Sequence, residues 1–169
     1  MKTNVQDAIN EQIQAEFQSA YHYLAMSARF EEMNLRGAAQ WMRVQWEEET
    51  VHAMKFYDFL IRRSGTPELM QLDAPETDFG TPMEAFEEVL KHEQYISKRI
   101  HDLYELAVKE HDYPLQTLLH WFIDEQVEEE ENAQEIIDSL RLAGNTGQGL
   151  FLIDRELGQR QPGPEDTAA

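Results

Sequence analysis

Four stretches of this chain carry an apolar stripe at alternating steps of three and four residues, and metal-binding side chains break each stripe near its middle. The first runs Ile9, Ile13, Glu16, Ala20, Tyr23, Ser27, Phe30, and the second Ala38, Met42, Gln45, Glu49, His52, Phe56, Phe59. The third is Phe86, Val89, Glu93, Ile96, Ile100, Leu103, Ala107, and the fourth Leu115, Leu119, Phe122, Gln126, Glu129, Ala133, Ile136, Leu140. Such steps keep residues on one face of a helix, so four long amphipathic helices are predicted. A buried carboxylate without a partner costs several kcal/mol or keeps its proton. Glu16, Glu49, Glu93 and Glu129 meeting at one level need strong positive charge among them, and a pair of metal ions supplies it.

The punctuation between the stripes sets the topology. Helices are predicted over about 4–33, 38–63, 82–111 and 114–143, with a short fifth over about 147–157. All lie in a single domain, 1–158, and 159–169, with Pro162 and Pro164, is expected to be a disordered tail. Thr3 and Gln6 read as a capping box for the first helix, and Gly65 as the stop of the second. Thr81-Pro82-Met83-Glu84 joins a cap, a proline at the first position and an acid at the third. Asp112-Tyr113-Pro114 turns the chain into the fourth helix, Gly144-Asn145 ends it, and Thr146 can cap the fifth. The turns at 34–37 and 112–114 are short, so helices one and two, and three and four, pair as antiparallel hairpins. Residues 66–81 have no periodicity and reach roughly 50 Å when extended. The second helix is roughly 40 Å long. The link can therefore run the length of the bundle and leave helices two and three parallel: an all-α four-helix bundle with one long crossover.

Composition removes several classes of function. The net charge of −19 and pI of about 4.5 repel phosphate backbones and anionic membranes, so neither nucleic acid nor membrane is expected as a partner. With no cysteine, disulfides, thiolate zinc sites and iron–sulfur clusters are excluded. No apolar leader or run of about 18 apolar residues occurs, and a cytoplasmic location is expected.

Glu49-Thr50-Val51-His52 places a carboxylate and an imidazole one turn apart, within reach of a single ion. Gln126-Val127-Glu128-Glu129 adds a pair from the fourth helix. Mixed carboxylate and imidazole ligands suit iron, manganese or zinc. A bridging glutamate with open positions beside it suits redox cycling with oxygen.

These motifs, with Lys91-His92-Glu93-Gln94 and Gly149 to Leu157, resemble the non-haem bacterial ferritins over nearly the full length. The resemblance implies a ferritin-like bundle whose short fifth helix lines a four-fold axis of a 24-subunit shell. It implies an iron-storing ferroxidase taking ferrous iron and oxygen or hydrogen peroxide, and storing ferric mineral. Glu16, Glu49 and His52 would hold the first iron, and Glu49, Glu93 and Glu129 the second, with Glu49 bridging. Gln126 would lie beside the pair and orient water or peroxide. A third iron, found in some members, would map to Glu48, Glu125, Glu128 and Glu129, although Glu128 to Glu131 also reads as a solvated charge run. Tyr23 sits two turns after Glu16; most tyrosines on a core stripe are only core, whereas its family counterpart bonds near the site and can donate an electron. Trp41, Trp46 and Trp121 read as packing, and His22, His92, His101, His111 and His120 are unassigned.

The chain also departs from related patterns. Bacterioferritins carry a second Glu-x-x-His where this chain has Gln126-x-x-Glu129, and a haem-ligating methionine where it has Thr50, so no haem is expected. Gln116 and Leu119 stand where animal shells line the three-fold pore with carboxylates, which leaves that iron route in question. Competing possibilities are a di-metal peroxidase or oxidase on the same bundle without storage, a DNA-protecting mini-ferritin, and an acidic helical interaction module. The mini-ferritin lacks support because there is no basic N-terminal arm.

Overall fold

Every residue of the four stripes is buried, so the periodicity is the packing surface of α1 (Thr3–Glu32), α2 (Arg36–Arg62), α3 (Pro82–Lys109) and α4 (Tyr113–Ala143). A short α5 (Gly147–Leu157) follows. The computed structural model describes residues 1–144 and 146–163, and no strand occurs among them. Asn145 lies outside the described residues.

Three helices end on a non-glycine residue in the left-handed region: Asn34 (φ 59°), Ser64 (φ 56°) and His111 (φ 56°). Each is followed by an N–H that folds back onto the last helical turn, from Leu35 to Phe30 O, Gly65 to Leu60 O and Asp112 to Ala107 O. Gly65 is thus the returning donor, and Ser64 takes the left-handed position.

Thr81, the expected cap, and Glu84 form a reciprocal box, with Glu84 N donating to Thr81 Oγ1 at 3.3 Å and Thr81 N to Glu84 Oε2 at 2.8 Å. Asp112 caps α4 through Leu115 N and also takes both arms of the Arg63 guanidinium, at 2.8 and 3.2 Å. Thr146 caps α5 through Gly149 N. The start of α1 differs from expectation: Lys2 stands at the cap with no side-chain capping bond, and Thr3 is already helical. Gln6 does not close a box because its Oε1 accepts from Thr66 N, at 3.0 Å.

That bond is the first rung of a ladder. Gln6, Asn10, Gln14 and Gln18, four residues apart, face the crossover and bond its backbone. Asn10 donates to Thr66 O (3.2 Å) and accepts from Glu68 N (2.9 Å), and Gln14 donates to Gln71 O (3.3 Å). Gln18 donates to Asp73 O (3.1 Å) and accepts from Asp73 N (2.7 Å). The link then buries Phe79 edge-on to His22. It has travelled the length of α1, so α3 starts beside the start of α2, where Phe86 meets Phe30 and Trp41. Helices α2 and α3 are therefore parallel, as the link length implied.

The apolar core falls into two clusters. One holds Phe30, Met42, Phe86, Val89 and Ile137, and the other Ile9, Ile13, Phe56, Ile100 and Phe122. The glutamates, glutamines and histidine of the stripes lie between them.

Helix α5 docks on the start of α2. Asp154 Oδ1 accepts from Ala38 N at 2.9 Å, capping α2 from outside its own strand of sequence. The approach is so close that a Cβ on Gly37 would stand 1.6 Å from the Asp154 carbonyl oxygen. Ala39 N bonds Leu35 O at 2.9 Å, so α2 begins at Arg36, before the expected 38. Beyond the expected domain end at 158, Arg160 packs over the Trp41 ring and bonds Glu48. Residues 164–169 of the expected tail lie outside the described residues.

Candidate metal centre

The two apolar clusters bracket a layer in which Glu16, Glu49, His52, Glu93, Gln126 and Glu129 are each buried to within 3% of full burial. One ligand atom from each of Glu16, Glu49 and His52 lies within 4.8 Å of the others, close enough to hold one ion. Glu49 and His52 are one helical turn apart, and Glu49 Oε2 stands 3.7 Å from His52 Nδ1. The imidazole is fixed edge-on against Trp121 and Phe122.

Glu16 is held from behind. Gln12 Nε2 donates to Glu16 Oε1 at 2.8 Å, while Gln12 Oε1 accepts from Arg99 Nε at 3.1 Å. Arg99 fixes which end of the amide faces the carboxylate, and Glu16 Oε2 is left directed elsewhere. Glu16 Oε2 and both Glu49 oxygens meet no N–H or hydroxyl donor among the described residues. The compensation open to them is a proton shared between Glu49 and Glu16. Buried carboxylate oxygens with so little compensation are what a bound cation would correct.

On the other side, Glu93 accepts from Tyr23 Oη and from Gln126 Nε2 (3.2 Å). The same amide reaches the Glu93 carbonyl (3.2 Å) and Ser97 Oγ (3.3 Å). Glu129 accepts from Gln45 Nε2 at 3.0 Å.

Burial and mutual repulsion make these groups hold protons. Burial pushes Glu93 up to about 7, and burial with the Glu93 charge pushes Glu129 up to about 8. Burial and then the neighbouring carboxylates raise Glu49 well above the ordinary carboxylate range, and burial raises Glu16. Desolvation, with Lys55 nearby, lowers His52 to about 3, so at neutral pH its imidazole is uncharged and suited to a metal. Tyr23 is raised by burial and by the same carboxylates.

The additional acids of the expected third position divide by exposure. Glu48 and Glu129 are buried, Glu125 is partly exposed and Glu128 exposed. All four line one groove between α2 and α4, together with Arg160. Sequence inspection gave no role to Gln12, Gln45, Ser97 or Arg160. Gln12 carried a usable signal, since it precedes Glu16 by one turn in a helix whose buried positions are otherwise mostly apolar. Arg160 carried none. His22 and His92, left unassigned, stack on each other at 5.3 Å, and His92 Nε2 lies 2.7 Å from Ser19 Oγ.

A crossover bundle with a buried carboxylate and imidazole layer defines the class of ferritin-like metal-binding bundles. The family model described as a ferritin-like domain matches residues 6–143. The bacterial non-heme ferritin of Bacteroides fragilis (strain 638R) is 44% identical over 156 residues, 92% of this chain and 97% of that protein. The Escherichia coli O157:H7 protein of the same name is 36% identical over 157 residues, 93% of this chain and 95% of its own. Among solved structures, an open pore ferritin from Archaeoglobus fulgidus superposes with a TM-score of 0.94 at 43% identity, covering 95% of this chain and 99% of that one. A form of that ferritin engineered to be closed gives 0.95 at 42%, covering 96% and 99%. The chain belongs to the ferritin family, and its fold and class are those of an iron-storage protein.

Proposed function

We propose that this chain is a ferroxidase as well as an iron store, with the buried layer as its di-iron centre. One ferrous ion takes Glu16, Glu49 and His52, a second takes Glu49, Glu93 and Glu129, and Glu49 bridges them. Two ferrous ions together give two electrons, which with two protons reduce oxygen to hydrogen peroxide, or hydrogen peroxide to two waters. Ferric product then leaves for storage, and the acidic groove of Glu48, Glu125, Glu128 and Glu129 is the third position on its way.

The observation that carries this assignment is the trio of ligand atoms from Glu16, Glu49 and His52 within 4.8 Å, inside a core that offers their oxygens so few donors. The protein's own groups have definable tasks. Gln12 presents Glu16 through one oxygen, Trp121 and Phe122 hold the imidazole, and Gln126 with Tyr23 holds Glu93 until metal displaces the protons. Tyr23, bonded to Glu93, is placed to pass an electron into the centre.

Storage calls for a shell, and a cage of 24 copies in the cytoplasm completes the proposal; both rest on the family alone. Phe151 and Leu152 on α5, more than half exposed here, are the apolar face such a shell would bury. A di-metal redox enzyme without storage is not favoured, given the family and the presence of α5.

The test is aerobic titration with ferrous iron, following oxygen consumed and the absorbance break point, beside the mass of the assembly in solution. Rapid oxidation that saturates at two irons per chain, on a large assembly, is the expected result. A monomer at micromolar concentration, or oxidation unaffected by Glu49→Ala, would sink it.

A further inference from the structure

The groove between α2 and α4 already contains a cation, and it belongs to the chain. Arg160, three residues beyond the end of α5, donates from one guanidinium nitrogen to Glu48 Oε2 at 2.6 Å. Its guanidinium carbon lies 4.4 Å from the centre of the Trp41 ring. Both partners are largely withdrawn from solvent, with side-chain exposures of 18% for Arg160 and 6% for Glu48. The second terminal nitrogen, Nη1, is buried without a hydrogen-bond partner among the described residues. The groove holds about 400 Å³ and is lined by Glu48, Glu125, Glu128, Glu129, Asn132 and Arg160, with Glu129 shared by the buried centre.

A part-buried ion pair backed by an aromatic ring is a stronger contact than an exposed one, because desolvation strengthens both. Glu48 can present a given oxygen to a metal or to the guanidinium, not to both. The chain carries Arg160 across the groove from α5, which is anchored at Gly37 and Ala38. The position of the cation is thus set by a docked helix.

We propose that Arg160 is the resident counter-ion of this groove: a metal ion passing from the centre onto Glu48 Oε2 displaces it. Third-site occupancy is thereby coupled to release of the segment from Gly158 to Gly163. The coupling rests on the di-metal assignment above for the metal that arrives, and its test separates the two. Empty of metal, the groove is crossed by the strap, whose guanidinium offsets the charge of Glu48. Loaded, it is open.

The experiment is calorimetric titration of the assembled, metal-free protein with zinc, which probes sites without turnover, for wild type, Arg160→Gln and Arg160→Lys. Wild type should bind two zinc ions per chain tightly and a third weakly. Arg160→Gln should tighten the third by at least tenfold, equivalent to about 1.4 kcal/mol. Arg160→Lys, which keeps charge but loses the planar stack, should fall between. Adding Glu48→Gln to Arg160→Gln should abolish the gain. A second readout is hydrogen–deuterium exchange of residues 158–163, which small solvent reaches inside an assembly and which should be slow without metal and faster once the third zinc binds. Third-site affinity equal in wild type and Arg160→Gln, or exchange indifferent to the third zinc, overturns the proposal. Loss of the first two zinc ions from wild type would instead overturn the di-metal centre.

Discussion

Replacing Glu93 by glutamine isolates what the buried charge costs. The amide keeps an acceptor for Tyr23 Oη at nearly the same place and size and removes the ionisable proton, while its NH2 takes the place of the oxygen that accepts from Gln126 Nε2, at the cost of that one bond. Burial raises Glu93 from the ordinary 4.5 to about 7. Between those values the folded chain holds a proton that the unfolded chain has released. The folded state is thus favoured at low pH, and stability falls as pH rises from 4.5 through about 7. At about 1.4 kcal/mol per pH unit, that gap corresponds to about 3 kcal/mol once the group is fully ionised. Metal-free Glu93→Gln should therefore match wild type near pH 5 and exceed it by up to about 3 kcal/mol near pH 8. With zinc bound the order should reverse, because wild type gains more from binding to its folded state. The assay is urea denaturation at matched protomer concentration, metal-free and zinc-loaded, at both pH values. Equal pH slopes for the two metal-free proteins would falsify the account of Glu93. So would a variant that keeps wild-type zinc stabilisation.

Four further outcomes follow from the same geometry. Glu49→Ala and His52→Ala should each stop rapid ferrous oxidation while circular dichroism and assembly mass stay unchanged, since two apolar clusters hold the bundle without them. Zinc affinity at the centre should climb as pH passes through about 7 and about 8, where Glu93 and Glu129 give up their protons, with proton release visible by calorimetry in buffers of different ionisation enthalpy; an affinity flat in pH would contradict the assignment. Gln12→Leu strips Glu16 Oε1 of its donor and Arg99 Nε of its acceptor, at a cost of about 1–3 kcal/mol, and should weaken the first zinc more than the second. Gly37→Ala should displace α5, seen as faster proteolysis beyond Gly144 with α1 to α4 still folded, because its Cβ has no room beside Asp154.

The candidate centre was legible because its carboxylates and imidazole interrupt something regular. Glu16, Glu49, Glu93 and Glu129 stand out only against Ile13, Phe56, Ile96 and Phe122 in the same registers, and packing turns that register into one level of the bundle. Supporting groups were harder to see. Gln12 and Gln45 are ordinary helix residues until a carboxylate is known to lie opposite, and that is a fact of tertiary structure. The cap at Thr3 failed because Gln6 had a competing partner far away in sequence. Ser64 was overlooked at the end of α2 because the adjacent glycine is the commoner left-handed residue. Arg160 was invisible because nothing in a segment with two prolines marks its path back across α2.

The ladder from Gln6 to Gln18 steers the crossover by its main chain. Its rungs end on the carbonyl or N–H groups of Thr66, Glu68, Gln71 and Asp73, and none ends on their side chains. Leu69, Met70 and Leu72 meanwhile point outward. The route of the link is therefore written into α1, and the link's own side chains are free to change so long as its length and backbone donors are kept. Residues 68–73 are thus the part of the subunit best suited to carrying foreign peptide side chains, whereas one proline at Glu68 or Asp73 would remove a rung and let the strand drift.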